Sequence, residues 1–307
     1  MIRFDKLKIV SPISAITDIH QDAFVATSKN NVPLSYKYEQ TTPYSLSIRV
    51  DYCHSELVIE FTGKVLMEKY PLLINKDTIR PCLENINNLN LCHLNVEDVL
   101  AHGQVAKSDV AKDIDGNIAD ICSAIRPNLS NYKKWTVRQF YCDGIVLENV
   151  VKTPRYKKRM IVYDKDKELK AAHNKSIYGY NEVRSYFKNK VRFELNIGTM
   201  KQIREILNIP DNRLTTVLNA TANPLLSVID EAIITQPTNR RTMTLRDRER
   251  EALLQQCGHD LVKLEAIVRA CCSKTTSISR QMQPYRELME YSRNCNEKRI
   301  DIRELLC

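Results

Sequence analysis

Residues 191–197 read VRFELNI, and apolar and polar side chains alternate at every position of this stretch. Successive side chains of a β-strand point to opposite faces of the sheet, so the stretch predicts a strand with one core face. The residues expected on the core face are Val191, Phe193, Leu195 and Ile197. Those expected on the other face are Arg192, Glu194 and Asn196, which either form a solvated surface or belong to a site.

Two further strands are predicted to carry polar groups on one face. In residues 159–165, RMIVYDK, the alternating set is Arg159, Ile161, Tyr163 and Lys165. In residues 105–113, VAKSDVAKD, it is Val105, Lys107, Asp109, Ala111 and Asp113. Carboxylates on a strand are typical of an edge strand facing water or of a functional site.

The rest of the chain predicts an α+β fold, with an antiparallel sheet and helices on one face. Four early strands are expected at Phe4–Val10, Leu34–Tyr38, Leu46–Tyr52 and Leu57–Phe61, and a later one at Thr136–Leu147. The polar run QPTNRR at 236–241 divides this domain, residues 1–235, from a small all-α domain, residues 236–307. Within the second domain, residues 273–286 predict either a packed helix or a helix-turn-helix recognition helix that uses Arg280.

Composition indicates a soluble protein that binds an anionic partner. The net charge is +9, the sequence pI is about 9.0, and no apolar run is long enough for a transmembrane helix. The N-terminus lacks a signal-peptide core, so we expect a cytoplasmic location and no membrane partner. The ten cysteines show no CxxC pair, which favours reduced thiols and no zinc site.

The positive charge is concentrated in one segment. Residues 151–205 contain 15 Lys and Arg against 6 Asp and Glu. The difference, +9, equals the net charge of the whole chain. Nucleic acid is the commonest anionic partner of such segments. The DNA contacts predicted here are Lys157, Lys158, Arg159 and Arg192, and Lys107 is a further candidate on the 105–113 strand.

The three polar strand faces together predict a chemistry. A phenol has a pKa of about 10 and becomes a good nucleophile only when a nearby cation favours the phenolate. Lys165 is two residues from Tyr163, and Glu194 and Asp109 can approach each other if their strands are neighbours. Two carboxylates beside a tyrosine suit Mg²⁺ or Mn²⁺, which would polarise a phosphate under attack by Tyr163.

Three segments occur in an order that resembles a known family: VAKSDVAKDID (105–115), DGIVLENVVKTPRYKKRMIVYDKDKEL (143–169) and NKVRFELNIGTMKQIREILNI (189–209). The chain is similar, over roughly residues 100–210, to filamentous-phage gene II/X replication initiation proteins and to related plasmid initiators. The resemblance implies a Rep-like, relaxase-like domain that nicks origin DNA for rolling-circle replication in a bacterial host.

The resemblance also assigns roles to residues. Tyr163 would be the nucleophile that forms a 5′-phosphotyrosine, Lys165 its conserved lysine, and Asp109 and Glu194 metal ligands, with Asp113 as a further ligand. The implied partners are single-stranded or supercoiled origin DNA and the host helicase and polymerase. The chain departs from the family at Lys107, where arginine is usual, and it lacks a His-hydrophobe-His pair.

Several alternatives remain open at this point. Tyr178, Tyr180 and Tyr186 lie near Tyr163 in sequence and could act instead of it or after it. A non-catalytic DNA-binding regulator or single-strand binder on the same fold would have the same charge pattern. A mobile-element relaxase would share the chemistry and serve DNA transfer.

Overall fold

The computed structural model describes residues 2–125, 134–141, 143–151, 153, 157–232, 244–272, 277–295 and 301–307, without the side chains of 291–295. It has an α+β fold built on one ten-stranded antiparallel sheet, as the sequence predicts. No helix in these residues combines the length and apolar character needed to cross a bilayer.

The twelve strands are short to medium in length. Their bounds are β1 Phe4–Pro12, β2 Ile16–Ile19, β3 Val25–Lys29, β4 Val32–Gln40, β5 Leu46–Asp51, β6 Glu56–Thr62, β7 Cys92–Leu94, β8 Gln104–Asp115, β9 Trp135–Gln139, β10 Ile145–Asn149, β11 Arg159–Asp164 and β12 Lys190–Ile197. The large sheet has the order β3-β4-β5-β6-β1-β8-β12-β11-β10-β9, and β2 pairs separately with β7.

The α-helices follow in two groups along the chain. The first comprises α1 Ile79–Asn87, α2 Val96–His102, α3 Ile118–Ile125, α4 Lys165–Leu169, α5 Tyr180–Phe187, α6 Met200–Leu207, α7 Leu214–Leu218 and α8 Pro224–Ala232. The second comprises α9 Leu245–Gln256, α10 Leu261–Cys271, α11 Ile278–Cys295 and α12 Ile302–Leu306. An irregular 3-10 segment, Gly63–Leu72, follows β6.

The main core lies on one face of the large sheet, because apolar residues alternate inward along most of its strands. All four residues predicted for the core face of β12 belong to it: Val191, Phe193, Leu195 and Ile197. Residues from α1, α2, α3, α6, α7 and α8 cover this face.

Helices also cover part of the opposite face, which the prediction of helices on one face did not include. A second apolar cluster there contains Tyr70, Leu169, Val183 and Phe187, packed on Ala111 of β8. It brings the 3-10 segment, α4 and α5 onto the end of the sheet where β11 finishes. The rest of this face carries polar side chains and a small apolar cluster of Val146, Ile161 and Tyr163, and we call it the open face.

Two predicted strands differ locally from the structure. The pairing of β1 with β8 shifts register between Lys8 and Ile9, so Val105 joins the main core instead of sharing a face with Asp109.

The predicted strand Thr136–Leu147 is in fact β9 and β10, joined by a turn at Gly144. A Cβ at Gly144 would lie 2.3 Å from the Val162 carbonyl oxygen, so this glycine allows the turn to pack closely on β11.

Helices α9, α10 and α11 pack around a separate apolar cluster that includes Leu254, Leu264, Met282 and Leu288. The last helix, α12, returns to the main core through Ile302 and Leu306. The predicted domain boundary at 235/236 lies outside the described residues, as do Lys274, Thr275 and Thr276 of the candidate recognition helix.

Candidate active site

The candidate site lies on the open face, across three neighbouring strands. Strand β12 pairs with β8 on one side and with β11 on the other. Their registers place Asn196 opposite Asp109, and Arg192 opposite both Asp113 and Tyr163. The sheet therefore brings together the three segments that the sequence singled out.

A line of hydrogen bonds connects Tyr163 to both predicted metal ligands. The Tyr163 hydroxyl donates to Glu194 Oε2 at 3.1 Å. Asn196 Nδ2 donates to Glu194 Oε1 at 3.2 Å and to Asp109 Oδ1 at 2.9 Å. Alternation along β12 assigns Asn196 only a place on the polar face, because only the strand register shows that its amide joins the two carboxylates.

The two carboxylates are partly buried and share the Asn196 amide. Burial raises the pKa of Asp109 to about 6, and the charge of Asp5 also raises it. The hydrogen bond from Asn196 and the charge of Lys6 lower it in part. Burial, Asp5 and Asp109 raise the pKa of Glu194 to about 7, against the charges of Arg192 and Lys165. Near neutral pH Glu194 can therefore accept a proton or bind a cation.

Tyr163 is only 5% exposed and packs with Val146 and Ile161, with Phe140 beside them. The ring centroids of Phe140 and Tyr163 are 6.1 Å apart. Burial and the charge of Glu194 raise the pKa of the Tyr163 hydroxyl well above its usual value. Attack by this oxygen thus requires that its proton leave during the reaction and that a cation offset the developing charge.

Lys165 supplies one such positive charge. It is the first residue of α4, directly after the strand, and is 1% exposed. Its Nζ lies 5.6 Å from the Tyr163 ring centroid and 2.7 Å from Glu168 Oε2. Burial would lower the pKa of Lys165, but the charges of Glu168, Tyr70 and Asp5 raise it above the usual value, so the ammonium stays charged.

Arg192 has a structural role that replaces the predicted DNA contact. Its side chain is fully buried, and its Nε and Nη2 donate to the two oxygens of Asp113 at 2.7 and 2.8 Å. It also donates to Asp5 and to the Tyr70 hydroxyl. Both oxygens of Asp113 thus accept hydrogen bonds from Arg192, and none of the hydrogen bonds found in the described residues joins Asp113 to Asp109 or Glu194, so its role as a metal ligand stays a prediction.

The other predicted DNA contacts are spread over several surfaces. Lys107 is exposed on the open face, and Arg280 is exposed on α11. Lys157 and Arg159 both pair with Glu148 of β10, while Lys158 pairs with Glu231 of α8. In the described part of residues 151–205, several of the cations are therefore paired with carboxylates of the chain.

The alternative tyrosines lie apart from the two carboxylates. Tyr180 donates to the Leu169 carbonyl oxygen, while Tyr178 and Tyr186 are exposed. None of the hydrogen bonds found in the described residues joins these three tyrosines to Asp109 or Glu194.

The Asp109–Glu194 pair fits a hard divalent cation. Both carboxylates are raised in pKa by burial and by neighbouring negative charge, which a bound cation would relieve. In the part of the chain that the structure describes, no cluster of three or more His, Cys, Asp or Glu side chains could hold a metal. Mg²⁺ commonly binds through one or two carboxylates and keeps several waters, so two carboxylates are enough for a candidate site.

No protein-family model, curated protein or solved structure matches this chain.

Proposed function

We propose that the protein is a rolling-circle replication initiator that nicks and rejoins one DNA strand through Tyr163. The observation that carries the proposal is the hydrogen-bonded line from the Tyr163 hydroxyl through Glu194 and Asn196 to Asp109. In this proposal Tyr163 is the nucleophile, Glu194 accepts its proton, and Asp109 and Glu194 are the cation ligands.

The proposed nicking step is a transesterification. The Tyr163 oxygen attacks the scissile phosphorus while its proton passes to Glu194 Oε2, and the bond from phosphorus to the 3′ oxygen breaks. The leaving oxygen takes a proton from water and becomes a free 3′-hydroxyl, and the 5′ phosphate stays on Tyr163. A divalent cation bound to Asp109 and Glu194 would polarise the phosphate.

Three further groups of this chain support the step. Lys165 offsets the charge on the phenol oxygen, and Arg192 fixes β12 against β8 through Asp113. Phe140 packs beside the Tyr163 ring and helps to hold it in place. Rejoining reverses the step when a 3′-hydroxyl attacks the phosphotyrosine. A host polymerase would extend the first 3′ end, and a host helicase would open the duplex.

The test uses 3′-labelled single-stranded oligonucleotides that tile the DNA flanking the gene, with Mg²⁺ or Mn²⁺. We expect the label to become attached to the protein in an SDS-resistant form, and a peptide containing Tyr163 to carry the nucleotide. Tyr163→Phe should abolish the adduct, while the matched variants Tyr178→Phe and Tyr186→Phe should retain it. An adduct of full yield with Tyr163→Phe would contradict the assignment.

A non-catalytic DNA-binding protein is the second candidate, and the burial of Tyr163 favours it. Such a protein would bind the oligonucleotides with both metals and form no adduct. A relaxase of a mobile element would give the same adduct as an initiator, and the two differ only in whether DNA is replicated or transferred.

A further inference from the structure

The ammonium group of Lys165 is buried beside the active site among three aromatic rings. Its Nζ lies 5.3, 5.6 and 5.8 Å from the ring centroids of Tyr70, Tyr163 and Phe187. The residue is 1% exposed. Aromatic faces attract a cation but do not replace the water that it loses, so a buried ammonium also needs a carboxylate partner.

That partner is Glu168, which is itself held by a line of hydrogen bonds. Lys165 Nζ donates to Glu168 Oε2 at 2.7 Å. The buried Asn174 donates from Nδ2 to Glu168 Oε1 at 3.0 Å and to the Glu168 carbonyl oxygen at 2.9 Å. Lys64 Nζ, in the 3-10 segment, donates to Asn174 Oδ1 at 2.8 Å. Both carboxylate oxygens of Glu168 therefore have a partner, and its side chain is fixed in one position.

Stability of the fold does not by itself explain this buried pair. Apolar residues of similar volume often replace a buried ion pair without loss of stability, because removing two charges from water is costly. The pair lies next to Tyr163, and Asn174 and Lys64 hold it from the other side. Its position therefore indicates a role in the active site.

Glu194 is the other carboxylate with which the Lys165 ammonium could pair. The charge of Lys165 lowers the pKa of two further carboxylates, Asp5 and Glu194. Asp5 already accepts a hydrogen bond from Arg192. Among the described residues, Glu194 accepts hydrogen bonds only from uncharged groups. Without Glu168, the ammonium would thus be expected to turn toward Glu194.

An ion pair between Lys165 and Glu194 would disable the candidate site in two ways. It would occupy the carboxylate that accepts the Tyr163 proton in the proposed reaction. It would also place a positive charge where a divalent cation would bind, and the two charges would repel each other strongly in a buried site.

We propose that Glu168 is a positioning residue that holds the Lys165 ammonium away from Glu194. The ammonium stays beside the Tyr163 ring, and the Asp109–Glu194 pair stays open to a divalent cation. The importance of this arrangement for nicking rests on the proposed function, whereas its effect on cation binding does not.

The test measures cation binding without DNA, at a pH above the pKa values of both carboxylates. Mn²⁺, which suits carboxylate ligands, is titrated into each protein, and the free ion is followed by electron paramagnetic resonance. Glu168→Gln removes the partner of Lys165, and Glu168→Gln/Lys165→Met also removes the released ammonium. Glu182→Gln, at an exposed position of α5, is the matched control. Glu194→Gln identifies the binding that belongs to the carboxylate pair.

Glu168→Gln should bind Mn²⁺ about 10- to 100-fold more weakly, the range typical for loss of a group outside the ligands that supports a metal site. Adding Lys165→Met should restore the affinity of the unsubstituted protein, because no ammonium is left to occupy Glu194. A purely structural role of the pair predicts no such recovery. Glu182→Gln should keep full affinity, and Glu194→Gln should lose it.

Glu168→Gln leaves a buried ammonium without its partner, which destabilises the fold. Melting temperatures identify any variant that does not fold. In that case Glu168→Asp replaces Glu168→Gln, because its shorter carboxylate keeps the charge but lies farther from Lys165. The expected loss of affinity is then smaller, and Lys165→Met should again restore it.

The role of Glu168 would be overturned by unchanged Mn²⁺ affinity in its variant, by a loss that Lys165→Met does not restore, or by an equal loss in Glu182→Gln. Absence of Glu194-dependent Mn²⁺ binding in the unsubstituted protein would overturn it as well. The proposed function has a separate fate. The expected pattern of affinities, with no DNA adduct from the unsubstituted protein, would leave a cation site beside Tyr163 and remove the nickase.

Discussion

At the residue scale, Glu194 lies between a phenol and a second carboxylate. Its two oxygens accept hydrogen bonds from Tyr163 and Asn196, and its pKa is raised to about 7. In the unfolded chain a glutamate has a pKa of about 4.3. The folded protein therefore holds the Glu194 proton more tightly than the unfolded chain does.

This raised pKa predicts a pH dependence of stability in the presence of EDTA. The contribution is fully present below about pH 4 and is lost as pH rises through about 7. Between pH 5 and 8 the unsubstituted protein should lose about 2 to 3 kcal/mol relative to Glu194→Gln, in urea unfolding. Glu205→Gln, on the surface of α6, should follow the unsubstituted protein at both pH values. A Glu194→Gln difference that does not change with pH would contradict the raised pKa.

The residues of the site differ in how well the sequence predicts them. Strict alternation along β11 and β12 predicts the sheet face of Tyr163 and of Glu194 from the local sequence alone. Asp5 and the buried pairing of Arg192 with Asp113 depend on strands far apart in sequence, so no local pattern indicates them. For that reason Arg192 was predicted as a surface cation although it is fully buried.

At the scale of elements, the junction of β11 with α4 fixes Tyr163. Asp164 caps α4 by accepting a hydrogen bond from the Lys167 backbone N–H at 2.9 Å. On the other side, a Cβ at Gly144 would lie 2.9 Å from the Tyr163 Cβ. Gly144 thus lies directly against the strand that carries Tyr163. The dipeptide Asp143-Gly144 is a local signal for this turn, whereas its close approach to Tyr163 exists only once β10 pairs with β11.

Gly144→Ala should therefore displace β10 from β11 at Tyr163. We expect a loss of about 1 to 3 kcal/mol in the free energy of unfolding, because the added methyl group overpacks the contact. Hydrogen exchange of residues 159–164 should become faster, and adduct formation should fall. Gly198→Ala is the matched control, since its Cβ would meet only Gln202 Oε1 at 3.8 Å. Equal effects of the two substitutions would rule out this account.

At the scale of the whole molecule, the main core under the large sheet is separate from the apolar cluster that joins α9, α10 and α11. Helix α12 follows this three-helix cluster in sequence but packs with the main core. Arg303 of α12 pairs with Asp230 of α8. The helix that precedes the three-helix cluster and the helix that follows it therefore lie side by side in the main core.

Leu306→Ala should accordingly weaken the main core and not the three-helix cluster. Truncation of a buried leucine costs about 2 to 5 kcal/mol. Hydrogen exchange followed by mass spectrometry should show faster exchange in α3 and α8, with α9 to α11 unchanged. Glu304→Ala, at an exposed position of the same helix, should leave both regions as they are. Faster exchange confined to α9–α11 would contradict the assignment of α12 to the main core.

The position of β12 between β8 and β11 has a consequence for how the protein folds. Residues that pair across this junction, such as Lys190 and Asp115, are 75 positions apart, so the pairing requires closure of a long loop. Until β12 inserts, β8 and β11 each present an unpaired edge that another chain can join. The strand that delivers Glu194 and Asn196 is thus also the strand that protects the newly made protein from aggregation.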